Sequence, residues 1–527
     1  MRKYSLIAIL LSDHHRIAKK ARELVAEAVK AFDDATATVQ VTNCLTHSAT
    51  LNPTWWRSSR SVLIALVFTS VSALFDNSRL AIAVETNVLL IISDDLNNRL
   101  GCYGDLLVKT PNIDRLSERG VRFDRAYCQY PVCNPSRSSF LSGLRPDTTR
   151  VMRNKTSTRS NLPDAVMLPQ FFREHGYRSF ASGKIFHTGV SDPPSWTTEI
   201  AEVILTPTKE QRLDKGGMTS DGSRKSFQWM KVNLRADELP DHQVTLDVIR
   251  MIEEAQQARQ PFFAAAGFRL PHLPYIAPAD YLAMYPEETM PLSKEPHGHA
   301  AKMPPLSLMY DPASTPNTQQ EMRAAMAAYF ACISTMDAQV GVLLDAMDQL
   351  KLWDSTIVVF MSDHGYHLGE HDGMWHKGSI MEESSRGPLI VAAPGCQHGA
   401  VSPRLVEYVD VYPTLVDFCG LAVPEHLEGT SFAPLLKAPQ REWKRAAFTQ
   451  VLMPAEPKEV MGRALRTERW RYIEWDEGKH GRQLYDHDND PREYTNLANE
   501  SRYAATVKEM SAILKAGWNQ ALPTNNP

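Results

Sequence analysis

Two acidic pairs stand out in the sequence because each directly follows an apolar run. Asp94-Asp95 follows residues 87–92, Asn-Val-Leu-Leu-Ile-Ile, and Asp363-His364-Gly365 follows residues 356–360, Thr-Ile-Val-Val-Phe. Three carboxylates gathered in one site repel one another unless a cation lies among them. Oxygen-rich ligation favours Ca²⁺, with Mg²⁺ as the second choice. A metal held in this way polarises an oxyanion. Lys184, in Gly183-Lys184-Ile185-Phe186-His187, and Lys377, in Gly373-Met374-Trp375-His376-Lys377, fit the need for positive charge around an anion's non-reacting oxygens. His272, in Pro271-His272-Leu273-Pro274, fits the need for a proton on a leaving alcohol. Each of these also has an ordinary reading. An acidic pair can be a solvated loop or a helix cap, and a lone Lys or His is usually surface or satisfied core. Their shared position at strand ends favours a single site. Cys133-Asn134-Pro135-Ser136-Arg137 adds a further centre. Pro135 can open a helix, which puts residue 133 at the helix's positive end, where anions are favoured. The ordinary alternative is a buried, unmodified Cys before a helix.

The elements that position these residues alternate along the chain. Residues 87–92 read as a strand covered on both faces. Thr110-Pro111 opens a helix that stops at Gly120. A helix over 169–175 ends at Gly176 and leads into a short strand through Ala181. Strands are expected at 261–266, 356–360 and Leu389–Ala392, with a long helix over 322–350. This alternation predicts an α/β fold, a parallel sheet with helices on both faces, and ligands then sit at the carboxyl ends of its strands. From about Pro439 the character changes. Residues 466–475 alternate as one half-exposed strand, Gln483-Leu484-Tyr485-Asp486 leads to a turn at Asp490-Pro491, and a last helix covers 503–518. The expected division is a catalytic unit over 84–440 and a smaller C-terminal α+β unit over 441–527.

Composition bounds the function classes. The chain has 527 residues, 43% hydrophobic and 22% charged, which excludes disordered and fibrous classes. A net charge of −4 argues against sequence-independent nucleic-acid binding. No Cys-x-x-Cys pair occurs among the 7 cysteines, so neither a zinc ribbon nor a thioredoxin-like motif is readable. Arg57 and Arg60 precede a mostly apolar run over 62–75, followed by Ala81-Ile82-Ala83. A basic region, a short apolar run and an A-x-A site predict a secretory signal peptide over 57–83, too short for a membrane span. Residues 1–56 then read as an upstream extension, and the working location as periplasmic or secreted.

The Cys133–Arg137 motif resembles the modification signature of the sulfatase family, within the alkaline-phosphatase-like superfamily. Four fixed residues in five positions arise by chance on the order of once per thousand chains of this length. The resemblance runs over about residues 86 to 515. Four stretches resemble a subgroup acting on sulfated saccharides: Leu100-Gly101-Cys102-Tyr103-Gly104-Asp105, Arg145-Pro146-Asp147-Thr148-Thr149-Arg150, Gly183-Lys184-Ile185-Phe186-His187 and Leu368-Gly369-Glu370-His371. The Lys-x-x-His spacing of Lys184 and His187 is similar to that subgroup, whereas common arylsulfatases have Lys-x-His. The resemblance implies a large, mostly parallel mixed sheet between helices. It implies that a formylglycine-generating maturation enzyme oxidises Cys133 to an aldehyde. One hydroxyl of its hydrate attacks sulfur, and the other later expels sulfate. It further implies metal ligation by Asp94, Asp95, residue 133, Asp363 and His364, support of the formylglycine by Arg137, assistance to sulfate release by His187, and a general-acid role for His272. One departure bears on substrate: the subgroup carries a Lys before its Pro-His pair, where this chain has Leu270, and Arg269 could supply the missing cation if it turns inward. A phosphonate or phosphodiester hydrolase of the same architecture is the alternative enzyme reading. A glycan-binding protein without catalysis would not need the Cys133 motif.

Overall fold

The computed structural model describes residues 86–214, 216–219, 227–308 and 315–523. The upstream extension and signal peptide expected from the sequence lie outside these residues.

The apolar run after Thr86 forms β1 (Asn87–Ser93). It can be apolar at successive positions because both of its faces are covered. Leu89 and Ile91 enter one core, while Val88, Leu90 and Ile92 enter another. The other strands of this sheet are β2 (Val121–Tyr127), β3 (Arg178–Gly183), β4 (Thr198–Ala201), β5 (Phe262–Phe268), β6 (Thr356–Ser362), β7 (Leu389–Ala392) and β8 (Ala400–Glu407). Their order across the eight-stranded sheet is β8-β2-β7-β6-β1-β5-β3-β4. β7 runs antiparallel to both of its neighbours, whereas the remaining pairings are parallel. The sheet is therefore mixed and mostly parallel.

Helices cover both faces, as parallel strands require. The helices used below are α1 (Pro111–Arg119), α2 (Cys133–Ser142), α3 (Leu168–Glu174), α4 (Pro240–Gln257), α5 (Gln319–Gln349), α6 (Val411–Phe418) and α7 (Ala504–Ala516). Residues of α1, α4 and α5 fill the core on one face, and residues of α2, α3 and α6 fill the core on the other. α5 is long and apolar enough to cross a membrane, but 89% of its most apolar window is buried inside the protein. α1 begins at Pro111 and is capped by Gly120, as the sequence predicts.

The C-terminal unit is a four-stranded antiparallel meander of β9 (Ala447–Met453), β10 (Val460–Arg466), β11 (Trp470–Trp475) and β12 (Arg482–Asp486), with α7 packed on one face. Residues 466–475 are not one half-exposed strand. Thr467 turns the chain between β10 and β11, accepting the Trp470 N–H on its hydroxyl at 2.9 Å. β11 is buried on both faces because Tyr472 packs toward α7 while Ile473 and Trp475 pack against Tyr130, Ile380 and Met381. Within the joining surface, Arg471 is an ion-pair partner of both Glu382 and Glu493.

Candidate active site

Strand register explains why distant residues meet. Ser93 lies in register with Phe268 on one side and Ser362 on the other, and Gly183 lies opposite Gly267. Four adjacent parallel strands therefore release the chain at nearly one level. Just beyond their ends stand Asp94-Asp95, the segment from Arg269 to His272, Asp363-His364, and Lys184. The close approach at Lys184 requires glycine. A Cβ on Gly267 would lie 2.4–2.5 Å from the Lys184 backbone, and Gly183 holds φ +82. α2 brings Cys133 to the same place at the helix's first turn, with all ten helix residues buried.

The structure brings the acidic residues, Cys133, Arg137, His364 and both lysines together. Cys133 Sγ lies 3.7 Å from Asp95 Oδ1 and 3.5 Å from His364 Nε2. His364 Nε2 lies 3.4 Å from Asp95 Oδ1 and 3.6 Å from Asp363 Oδ1. Arg137 is wholly buried. Its Nε donates to Asp363 Oδ2 at 2.9 Å, its Nη2 reaches Asp94 Oδ1 at 3.4 Å, and its Nη1 donates to the carbonyls of Lys184 and of Ile185. Lys184 Nζ is bonded to Asp94 Oδ2, and Lys377 Nζ donates to both Asp95 oxygens at 2.6 Å. His272 turns Nε2 toward Asp95 Oδ2 (3.7 Å) and Asp94 Oδ2 (4.0 Å), while its Nδ1–H donates to Leu273 O. His187 stands within electrostatic reach of Lys184 and Arg137, and its buried Nδ1 has no hydrogen-bond partner among the described residues.

Electrostatics follow from this packing. Burial pushes the Asp94 carboxyl up, but Lys184, His272, Arg137 and Lys377 hold it well below the usual carboxylate range. Asp95 is likewise lowered, because Lys377 and His272 outweigh burial. Asp363 goes the other way: burial, with Asp94 and Asp95 nearby, raises it despite His364 and Arg137. Three such carboxylates, with one resisting ionisation, fit a donor set built around a hard divalent cation. Ligand atoms of Asp94, Asp95 and Asp363 lie within 4.8 Å of one another, and so do those of Asp95, Cys133 and His364. Burial and Asp94 push the Cys133 thiol well above its ordinary value. Burial and the nearby Lys377 lower His272 to about 3, and burial with Lys184 and Arg137 lowers His187 to about 3.

Several positioning residues escaped the sequence reading. Asp241, in the first turn of α4, accepts the N–H of Arg269 and of Leu270, each at 3.1 Å, and so shapes the loop that carries His272. Ser93 Oγ donates to Leu270 O at 2.8 Å. Ser136 Oγ is bonded to Asp363 O. Tyr329, on α5, donates to Asp95 O at 2.7 Å and supports Asp95 at φ +64, a conformation Asp tolerates better than most residues. Tyr329 and Asp241 carry no local signal. Ser136 was visible only as part of the Cys133 motif. Arg269 does turn toward His272, with Nη2 3.5 Å from its Nδ1, but its Nη1 is paired with Glu202 at 3.0 Å.

The chain is similar to known proteins along most of its length. Residues 86–421 match the family model described as Sulfatase, and residues 369–520 match that described as N-sulphoglucosamine sulphohydrolase, C-terminal. Iduronate 2-sulfatase of Mus musculus is 31% identical over 553 residues, covering 87% of this chain and 98% of that protein. A solved structure described as a 2-O GAG sulfatase superposes with a TM-score of 0.66 at 25% identity, covering 83% of this chain and 92% of the other. The phosphonate monoester hydrolase of Agrobacterium radiobacter superposes with a TM-score of 0.70 at 24% identity, covering 83% of this chain and 96% of the other, which shows the shared fold. The fold is alkaline-phosphatase-like, and the chain belongs to the sulfatase family. It is a sulfuric ester hydrolase.

Proposed function

We propose that the chain hydrolyses a sulfate ester of a saccharide through residue 133, oxidised from Cys to formylglycine by a separate maturation enzyme, with a divalent cation at the Asp94, Asp95 and Asp363 carboxylates. The observation that carries the reading is the setting of Cys133. It lies at the start of a helix, within 3.7 Å of Asp95 and His364, yet its thiol is pushed well above its ordinary value. Only the thiolate is a good nucleophile, so the unmodified side chain is poorly suited to attack. The aldehyde hydrate supplies a hydroxyl that attacks sulfur and a second that expels sulfate. Asp94, Asp95, Asp363, His364 and residue 133 would hold Ca²⁺, or Mg²⁺ in its place, which would supply Lewis-acid polarisation of the sulfate.

The chain's own groups account for the rest. Lys184 and Lys377 bring ammonium groups to an anion's non-reacting oxygens. Arg137 spans Asp94 and Asp363 and keeps them in register under residue 133. His272 gives a proton to the leaving sugar oxygen, which departs as the alcohol. Burial is the first cause of its low value and Lys377 the first charge cause, so an anionic group bound to Lys377 offsets the second and favours the protonated ring. His187, neutral at physiological pH, takes the proton that frees sulfate from residue 133. Similarity to iduronate 2-sulfatase favours a sulfated mono- or disaccharide of the glycosaminoglycan type. With Leu270 in place of a cation and Arg269 shared with Glu202, a substrate carboxylate would compete with Glu202 for the guanidinium. The catalytic unit over 84–440, the C-terminal unit over 441–527 and a periplasmic or secreted location belong to the same proposal.

Matured enzyme assayed in parallel on sulfated disaccharides with and without a uronate, an aryl sulfate and a phosphonate monoester tests the reading. Higher kcat/KM on the sulfated saccharides is expected. A preference for the phosphonate would favour the alternative hydrolase, and a preference for the aryl sulfate would defeat the saccharide assignment. Arg269→Ala should lower activity on the uronate substrate more than on the neutral one, and equal losses would remove Arg269 from carboxylate recognition.

A further inference from the structure

A second group of metal-ligating side chains lies where residues 293–299 meet the hairpin formed by His367–Gly369 and Met374–His376. It contains none of the residues assigned above to catalysis. Glu295 accepts the backbone N–H of His371 on Oε1 at 2.6 Å and that of Asp372 on Oε2 at 2.8 Å, which fixes its carboxylate over the hairpin loop. Glu295 Oε2 also lies 3.7 Å from His299 Nε2. His299 Nε2 and His371 Nδ1 face each other at 3.3 Å.

The outward nitrogens decide what those facing atoms carry. His299 Nδ1 lies 3.2 Å from the Pro296 carbonyl, which only accepts. His371 Nε2 lies 3.4 Å from Glu383 Oε2, again an acceptor. With one N–H spent outward, each ring turns a lone pair inward when neutral. Burial lowers His371, but Glu383 and Glu493 outweigh it and raise the ring to about 9, so a proton holds the position between the rings until a cation displaces it. Two lone pairs 3.3 Å apart repel unless a proton or a cation joins them. Zn²⁺ binds imidazole nitrogen at about 2.0–2.1 Å, so two tetrahedral nitrogen ligands stand about 3.4 Å apart. An outward N–H given to a carbonyl or carboxylate is also the usual support of a metal-bound histidine. Ligand atoms of Glu295, His299 and Asp372 lie within 4.8 Å of one another. Asp372 is exposed, which leaves the group an entry path from solvent, whereas His299 and His371 are buried and pack against the Tyr494 ring.

We propose that Glu295, His299, His371 and Asp372 form a second metal site, of the zinc class and distinct from the carboxylate-rich catalytic one. Two imidazoles with two carboxylates suit Zn²⁺ better than Ca²⁺. The ion would fasten a loop whose residues His371, Asp372 and Gly373 all hold positive φ, at 57, 61 and 91. That loop leads through Met374–His376 to Lys377, whose ammonium sits on Asp95.

The full chain, freed of metal with a chelator and titrated calorimetrically with Zn²⁺ alone, tests this. The wild type should bind one equivalent more than His299→Ala. Co²⁺ should give a visible absorption in the wild type that His299→Ala loses. Asp372→Asn alters an exposed side chain and guards against a folding defect; it should weaken that equivalent at least about tenfold with an unchanged circular dichroism spectrum. If the wild type and Asp372→Asn bind Zn²⁺ with the same stoichiometry and affinity, a proton rather than a metal joins the two rings and the proposal fails.

Discussion

Arg137 shows how much one side chain is asked to do. It is fully buried, it pairs with two of the three carboxylates, and it ties them to the Lys184 and Ile185 carbonyls. Its planar fork serves four acceptors at once, which an ammonium cannot reproduce. Arg137→Lys is therefore expected to lower both activity and stability. Breaking a buried pair typically costs about 3–5 kcal/mol, and part of that should appear as a lower urea midpoint even though the charge is retained. A variant as stable and active as the wild type would show that the fork geometry is dispensable. At this scale much of the site was legible, because Asp94, Asp95, Asp363 and His364 directly follow apolar runs and Cys133 to Arg137 form a rare motif. Asp241 and Tyr329 were not, since each acts through a backbone contact made across the fold and nothing in their neighbours marks it.

Among elements, the parallel register of β3, β5, β1 and β6 is what converts sequence separation into a site. Gly267 is its tightest point. A Cβ there would overlap the Lys184 backbone, so Gly267→Ala should displace Lys184, lower kcat/KM and cost about 1–3 kcal/mol, the usual range for overpacking. An unchanged kcat/KM would contradict the link between this contact and the lysine. Asp241 gives a pH-dependent test of the loop carrying His272. Burial raises its carboxyl to about 6 despite the N–H groups of Arg269 and Leu270. The folded state therefore holds the proton more tightly than the unfolded chain. Through this group stability falls as pH rises from the ordinary value near 4 to about 6, and is level above that. Asp241→Asn should flatten this stretch of the urea-midpoint profile, and an identical slope in the variant would rule Asp241 out. The strands themselves were partly readable. Runs covered on both faces announced β1, β5 and β6. β2 did not, because Arg122, Asp124 and Arg125 interrupt its apolar pattern. β7 reads the same whichever way it runs, so its antiparallel direction is settled only by its neighbours. The β10–β11 turn contains neither Gly nor Pro, which let two strands pass for one.

For the whole molecule, the central strain is the concentration of buried acid at one end of the sheet. A cation that binds the folded protein and not the unfolded chain stabilises it by mass action, by about 2.7 kcal/mol at a concentration of one hundred times Kd. Ca²⁺ added to chelator-treated protein should therefore raise the thermal midpoint and restore activity. The rise should be absent in Asp363→Asn, and an equal rise there would move the Ca²⁺ elsewhere. The C-terminal meander contributes burial: its Ile473, Trp475 and Tyr485 close over Tyr130, Ile380 and Met381, the last two only a few residues beyond Lys377. The proposed reaction depends above all on residue 133. Peptide mass spectrometry of that position, across preparations matured to different extents, should show sulfatase turnover rising in proportion to the aldehyde fraction and vanishing where the thiol alone is present. Undiminished turnover in protein that carries only the Cys133 thiol would contradict it.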